Sequence, residues 1–197
     1  MVFDPDGELV ARIADGDAAA ARLLVQRHLP RVISLARRML GNAADADDVA
    51  QEVFLRVWKS AAKWQPGAAK FETWIYRVAM NQCYDRLRRK RGLALDDVAD
   101  PVDARPLPGD GLEARETANA VEAELARLPE RQRAAIVLCH YEGMTNIAAA
   151  ESLGVSVDAL ESLLARGRRT LREKLAGWAK GESVDAPSNR PQRITAP

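Results

Sequence analysis

The run Asp45-Ala-Asp-Asp-Val-Ala-Gln-Glu-Val-Phe-Leu55, followed after a break at Gln65-Pro66-Gly67 by Phe71-Glu-Thr-Trp-Ile-Tyr-Arg-Val-Ala-Met-Asn81, decides the fold. At 100° per residue, Ala46, Val49, Ala50, Val53, Phe54 and Val57 share one broad face, so a helix is predicted from about Ala44 to Ala62. Its opposite face carries Asp48, Gln51, Glu52 and Leu55. Solvation accounts for the acids and the amide, but a leucine exposed among them also suits a protein-binding face. A second helix is predicted from about Ala69 to Arg91, with Phe71, Trp74, Ile75 and Val78 on one apolar face and Tyr76, Met80, Cys83 and Leu87 on another. Buried on two sides, it leaves open a narrow strip of Arg77, Asn81, Tyr84 and Arg88. It ends in Arg86, Arg88, Arg89, Lys90 and Arg91. Cations in a last turn complement the helix dipole. Five of them within six residues exceed what a cap requires and point to a surface that tracks phosphates.

The rest of the composition fits helices around that stretch. The chain has 197 residues, enough for one or two small domains, and is 47% hydrophobic and 29% charged with few β-branched runs, which favours an all-α fold. A net charge of +1 argues for no partner, but the basic residues cluster at two helix ends while acids collect between them. No apolar run approaches the roughly eighteen residues of a membrane span, and Met1-Val-Phe-Asp-Pro-Asp lacks the basic start and apolar core of a signal peptide. Cys83 and Cys139 sit in apolar patterns, as buried reduced thiols do. A cytoplasmic protein is expected.

In chain order, residues 1–6 are expected to be frayed and Glu8–Ala14 a short helix, with Asp15-Gly16-Asp17 as turn and N-cap. A longer helix follows, with Leu23, Leu24, His28, Val32, Leu35, Ala36 and Met39 near one side; Pro30 should bend or interrupt it. Gly41-Asn42 ends it. His28 has no second ligand at helical spacing and reads as a packing or surface residue. Residues 92–111 are rich in Pro, Gly and Asp, an irregular acidic linker. Leu112–Leu128 is predicted helical, with Ala118, Val121, Leu125 and Leu128 inward. Another helix, about Glu130–Tyr141, carries Ala135, Ile136, Leu138 and Cys139. It has no Glu-x-x-His, so a metal site is not expected; nor is a cofactor or a catalytic residue.

The last third reads as a helix-turn-helix. Thr145 caps a short helix through Ser152, Gly154 supplies the positive φ of the turn, and Ser156 caps a helix ending near Trp178. Ala150 is small where the two helices cross, and Leu160 and Leu164 pack the second on the first. That turns Asp158, Ser162, Arg166 and Arg169 outward, donors and acceptors able to reach base edges and phosphates. An ordinary helical hairpin is the alternative. From Gly177 the chain is polar and rich in Gly, Ser and Pro, and is expected to be disordered.

The Asp45–Leu55 and Phe71–Asn81 runs, with Asp85-Arg-Leu-Arg-Arg, resemble region 2 of bacterial sigma factors, in particular the extracytoplasmic-function class. Leu128-Pro-Glu-Arg-Gln-Arg, Glu142-Gly-Met-Thr, Leu153-Gly-Val-Ser-Val and Arg166-Gly-Arg-Arg-Thr-Leu-Arg resemble region 4. The resemblance spans roughly residues 8–176. It implies that Asp48, Gln51, Glu52 and Leu55 face the clamp helices of the β′ subunit of core RNA polymerase, and that the second domain meets the β flap. It implies that the Gln65–Phe71 loop, including Lys70 and Phe71, captures an unpaired base of the −10 element near Asn81. Arg77, Arg88, Arg89 and Arg91 would hold phosphates; such a pocket beside a basic strip suits an extruded base. Ser156, Asp158, Ser162, Arg166 and Arg169 would contact the −35 element. The linker would run through the polymerase towards the RNA exit channel, and an anti-sigma factor is an expected partner. One departure stands out: Glu161 and Leu163 occupy positions where the family often has basic residues, and Glu161 could accept from a cytosine amino group instead.

The expected architecture is therefore all-α: a region 2 bundle over 7–92, a linker over 93–111, a region 4 helix-turn-helix over 112–177 and a tail over 178–197. The rival is a stand-alone helix-turn-helix regulator whose first half is a dimerisation or sensing unit. A carboxylate metal centre at Asp45, Asp47, Asp48 and Glu52 fits poorly, because those acids lie at one helix start, where the dipole explains them.

Overall fold

The computed structural model describes residues 4–64, 70–93 and 112–179, and all regular structure among them is helical. The first unit holds α1 (Gly7–Ala14), α2 (Ala18–Leu40), α3 (Ala43–Ser60) with a 3-10 turn at Ala61–Lys63, and α4 (Phe71–Leu93). The second holds α5 (Leu112–Arg127), α6 (Glu130–Ile136) running into a π-helical turn at Val137–Tyr141, α7 (Asn146–Leu153) and α8 (Val157–Ala179).

Local chemistry sets the helix ends. The Asp17 carboxylate accepts from the Ala19 and Ala20 N–H groups and starts α2, which Gly41 closes at φ 68°. The Asn42 side chain accepts from Asp45 N–H at 3.0 Å and starts α3. The apolar face of α3 is buried throughout, from Ala46 to Val57, and α4 is buried on both faces, with Phe71, Ile75, Tyr76, Ala79, Met80 and Cys83 fully enclosed. The larger of these, Phe71, Ile75 and Met80, each contribute about 1.5–3 kcal/mol.

Three expectations are corrected. Pro30 does not interrupt α2, which runs unbroken to Leu40. Pro30 is exposed, while Leu24, His28, Val32, Leu35, Ala36 and Met39 anchor the other side, so packing outweighs one lost backbone bond. The N-terminal segment is not frayed throughout. Asp4 accepts from Phe71 N–H at 2.8 Å at the start of α4, and buried Asp6 pairs with Arg27 and with His28 Nε2, the latter at 2.9 Å. Burial pushes the Asp6 carboxyl up, but the bonds and charges of His28 and Arg27 bring it below the usual carboxylate range. Ala118 is exposed; α5 turns inward only further along, through Leu125, with Leu128 buried just past its end.

The two units pack together. α7 lies on α4, while α5, α6 and the π-helical turn touch α2. At the centre of the contact the Tyr76 hydroxyl donates to Glu142 Oε2 at 2.9 Å, both side chains buried. Arg31 donates to the Glu142 carbonyl at 3.3 Å and bonds Glu72 at 2.7 Å. Ser152 Oγ donates to the Thr73 carbonyl at 3.2 Å. Buried Arg133 donates to the Met39 carbonyl at 2.5 Å, at the end of α2, and to Ala126 and Leu128, so one guanidinium collects carbonyls from both units. Burial drives the Glu142 carboxyl above its ordinary range despite the Tyr76 hydroxyl and Arg31, and burial beside Glu142 raises the Tyr76 phenol.

Candidate nucleic-acid interface

The α8 face is built by caps and one packed seam. Thr145 Oγ1 accepts from Ala148 N–H and Ser156 Oγ from Ala159 N–H, each at 3.2 Å. Gly154 takes φ 64°, a left-handed turn that any side chain would strain. Ala150, Leu160 and Leu164 are buried between the helices. Gly167 is buried where α8 crosses α6, and a Cβ there would come within 2.7 Å of Ile136 Cδ1, so the crossing depends on the missing side chain. Ser156, Asp158, Ser162, Arg166 and Arg169 are all exposed, on or at the start of this helix. Glu161 is exposed beside them and accepts from Asn146 Nδ2 at 3.2 Å, whereas Leu163 is half-buried and packs toward the core.

The α4 strip is different. Arg77, Asn81, Arg88, Arg89 and Arg91 are exposed, and Tyr84 is half-buried. Arg77, Asn81, Arg88 and Arg91 line a cleft of about 940 Å³, with Arg56 of α3 beside them and Glu130 and Arg131 of α6 on the far wall. Most of the α4 cations already have carboxylate partners. Arg86 bonds Asp45 at 2.8 Å and Asp48 at 2.6 Å, and Lys90 lies 2.5 Å from Asp45. Arg88 bonds Asp85 at 2.7 Å, and Arg91 bonds Glu130 across the cleft at 3.1 Å. Burial opposes ionisation of Asp45, but Lys90 and Arg86 hold its carboxyl below the usual range.

The outer face of α3 completes the candidate surfaces. Asp48, Gln51 and Leu55 are exposed and Glu52 half-buried; Leu55 is 54% exposed. Beside it a shallow apolar groove runs between Val25, Leu29 and Ile33 of α2 and Ala50, Phe54 and Trp58 of α3.

The family model for sigma-70 region 2 matches residues 24–92, which take in α2 to α4, and the model for sigma-70 region 4 matches residues 118–171. The ECF RNA polymerase sigma factor SigW of Bacillus subtilis is 31% identical over 84% of this chain and 94% of its own length. SigM of Mycobacterium tuberculosis is 35% identical over 91% of this chain and 89% of its own. The chain belongs to the ECF RNA polymerase sigma factors. SigE of Mycolicibacterium smegmatis is 37% identical over 83% of this chain, which spans 65% of that relative. Among solved structures, CnrH in complex with the cytosolic domain of CnrY superposes with TM-score 0.65 at 30% identity, over 88% of this chain and 99% of CnrH. The sigma factor RpoE of Bartonella quintana, solved with the anti-sigma factor NepR, shares the fold with TM-score 0.69 at 21% identity, over 79% of this chain and 96% of that one.

In this sigma factor, one expected contact residue is displaced from its expected place. Phe71 has no exposed surface; its ring packs against His28, Trp64 and Trp74 at centroid distances of 5.4–5.6 Å. Its part is to seat the start of α4, because an aromatic at a helix junction gains more from enclosure than from solvent. Lys70 beside it is exposed, and residues 65–69 of the loop lie outside the described residues, as do 94–111 of the linker. Trp74 is half-buried, stacked in the aromatic cluster and bordering the cleft. Sequence reasoning missed Arg56, which lines the cleft from α3, and the hold of Asp4 on α4. Neither carries a local signal, since their neighbours are far along the chain. No helix among the described residues is long and apolar enough to cross a membrane.

Proposed function

We propose that this sigma factor binds core RNA polymerase through the outer face of α3 and directs it to promoters through two DNA surfaces. The observation that carries the reading is Leu55, more than half exposed on an acidic helix face that none of the described residues covers. An apolar side chain ringed by Asp48, Gln51 and Glu52 suits a partner helix that offers an apolar ridge and basic flanks. The β′ clamp helices take that place, and the β flap meets the second unit. The cleft along α4, with Arg77, Asn81, Arg88, Arg89 and Arg91, receives the melted −10 strand after Lys70 and the preceding loop admit a flipped base. The exposed α8 side chains, Ser156, Asp158, Ser162, Arg166 and Arg169, read the −35 duplex. An anti-sigma factor controls access, covering the Asp48–Leu55 face or wedging between the units, in keeping with the partners crystallised with CnrH and RpoE. The domain limits proposed are 7–92 and 112–177.

Asp48 is bonded to Arg86, so replacing it would disturb α4 as well. The cleaner test is Leu55→Arg with Glu52→Arg. The wild type should bind purified core polymerase tightly, and the double variant should lose about 100-fold or more with unchanged helicity. A wild type that ignores polymerase yet binds palindromic duplex as a dimer would replace this reading with that of a stand-alone regulator.

A further inference from the structure

Two carboxylates stand exposed on the α8 face, and only one has a local explanation. Asp158 lies in the first turn of the helix, where the dipole favours an acid. Glu161 lies past that turn, on a surface whose Arg166 and Arg169 suit phosphates, and phosphates repel it. Among the described residues its hydrogen-bond partner is Asn146 of α7, whose Nδ2 donates to Glu161 Oε1 at 3.2 Å. Asn146 is itself held in place. It is the first residue of α7, directly after the Thr145 cap, and it is half-buried. The Cys139 thiol, a weak donor, lies 3.8 Å from its Oδ1, so the amide turns its nitrogen to the carboxylate. A long side chain that would otherwise sample many rotamers is thereby held in one direction. Oε1 is occupied, and Oε2 has no partner among the described residues. At about 100° per residue, Glu161 falls between buried Leu160 and exposed Ser162, one turn before exposed Ala165. It therefore flanks the outward stripe on the side of α7.

We propose that Glu161, positioned by Asn146, is a base-reading residue of the −35 surface and that it selects a cytosine. The inference rests on the sigma reading above. An ionised carboxylate only accepts hydrogen bonds. In the major groove guanine offers N7 and O6, and thymine offers O4; all are acceptors that a carboxylate repels. Adenine offers an amino donor, but its N7 acceptor lies beside it and opposes the second carboxylate oxygen. Cytosine offers its N4 amino group with no acceptor of its own on that edge. Oε2 takes an N4 proton while Asn146 keeps Oε1. The surrounding phosphates sharpen the choice. At any other base Glu161 weakens binding with no bond to offset the repulsion, so it selects by exclusion as well as by attraction.

The test is selection of promoter duplexes randomised across the −35 element, with the full chain assembled on core RNA polymerase. The wild type should favour cytosine at one position by about tenfold or more over the other bases. Glu161→Gln keeps an acceptor for Asn146 and should move the preference at that position to adenine, whose N6 and N7 match an amide. Glu161→Ala should abolish the preference there and leave the positions read by Arg166 unchanged. Asn146→Ala should shrink the preference by about threefold without changing the base chosen, as loss of a positioning residue does. If Glu161 served only to tie α7 to α8, Glu161→Gln would keep the wild-type profile. That result would overturn the proposal. So would a wild type with no cytosine preference that depends on Glu161, or Glu161→Ala tightening binding to all sequences alike. A wild type that forms no complex with core polymerase would instead remove the sigma reading, and this inference with it.

Discussion

α4 and α8 are both 23 residues long and both rich in arginine, yet they hold their charges in opposite ways. On α4, Arg86, Arg88, Lys90 and Arg91 each meet a carboxylate, and the helix is buried on two faces. On α8, Arg166, Arg169 and Arg172 are exposed without a carboxylate partner among the described residues, and one apolar seam suffices. A cation that already has a partner must give it up or share its donors with it to take a phosphate. A run of basic residues in a sequence therefore measures potential for nucleic acid, while the acids that fold back on it determine how much is free. The expectation that the whole Arg86–Arg91 cluster tracks phosphates is narrowed accordingly. Arg86 and Lys90 serve the α3–α4 junction. Among the described residues, Arg89 is the one exposed member without a carboxylate partner.

The largest effect should come from removing the seam under α8. Leu164→Ala should destabilise the second unit by about 2–5 kcal/mol, read by thermal unfolding, because it leaves a cavity at a fully buried position where α8 packs on its neighbours. A loss well below this would mean that the caps, not the packing, set the α8 face. A direct contrast comes next. In polymerase-bound protein, Arg166→Ala should weaken binding to −35 duplex by about 10- to 100-fold, whereas Arg88→Ala should weaken binding to the −10 strand by only a few-fold, since its partner Asp85 is released at the same time. Equal losses would erase the distinction drawn between the helices. The smallest effect concerns pH. Asp45 has a depressed carboxyl in the folded protein, so its pairs with Arg86 and Lys90 stabilise the fold above the ordinary value near 3.8. That contribution is lost as pH falls through the lower folded-state value. Asp45→Asn should flatten the acid limb of a stability-against-pH curve below about pH 4, and an unchanged curve would show that the pairs are incidental.

Periodicity made much of this legible. The buried face of α3 and the two buried faces of α4 follow from residue spacing, because a helix repeats every 3.6 residues whatever surrounds it. Thr145, Gly154 and Ser156 announced the helix-turn-helix because caps and positive-φ turns act within a few residues. Pro30 misled, since its local cost is outweighed by the packing of a long helix on the opposite side. Ala118 misled because its spacing fits an inward face, yet among the described residues it is exposed and the helix is buried only from Leu125 on. Phe71 misled in role: the resemblance placed it among the −10 contacts, and tertiary packing against His28, Trp64 and Trp74 enclosed it.

By itself, then, the sequence determined the helices, their buried faces, the capped turn and the sigma family, all of which rest on patterns no longer than one helix or one motif. Tertiary structure alone decided which cations remain free, how Asp4 and Asp6 secure the start of α4 and the α2 histidine, and that Glu142 meets Tyr76 across the two units. Those partners are 21 to 67 residues apart. Nothing local encodes such meetings; they exist only because burying the apolar faces brings distant polar groups to positions where leaving them unpaired would cost more than pairing them.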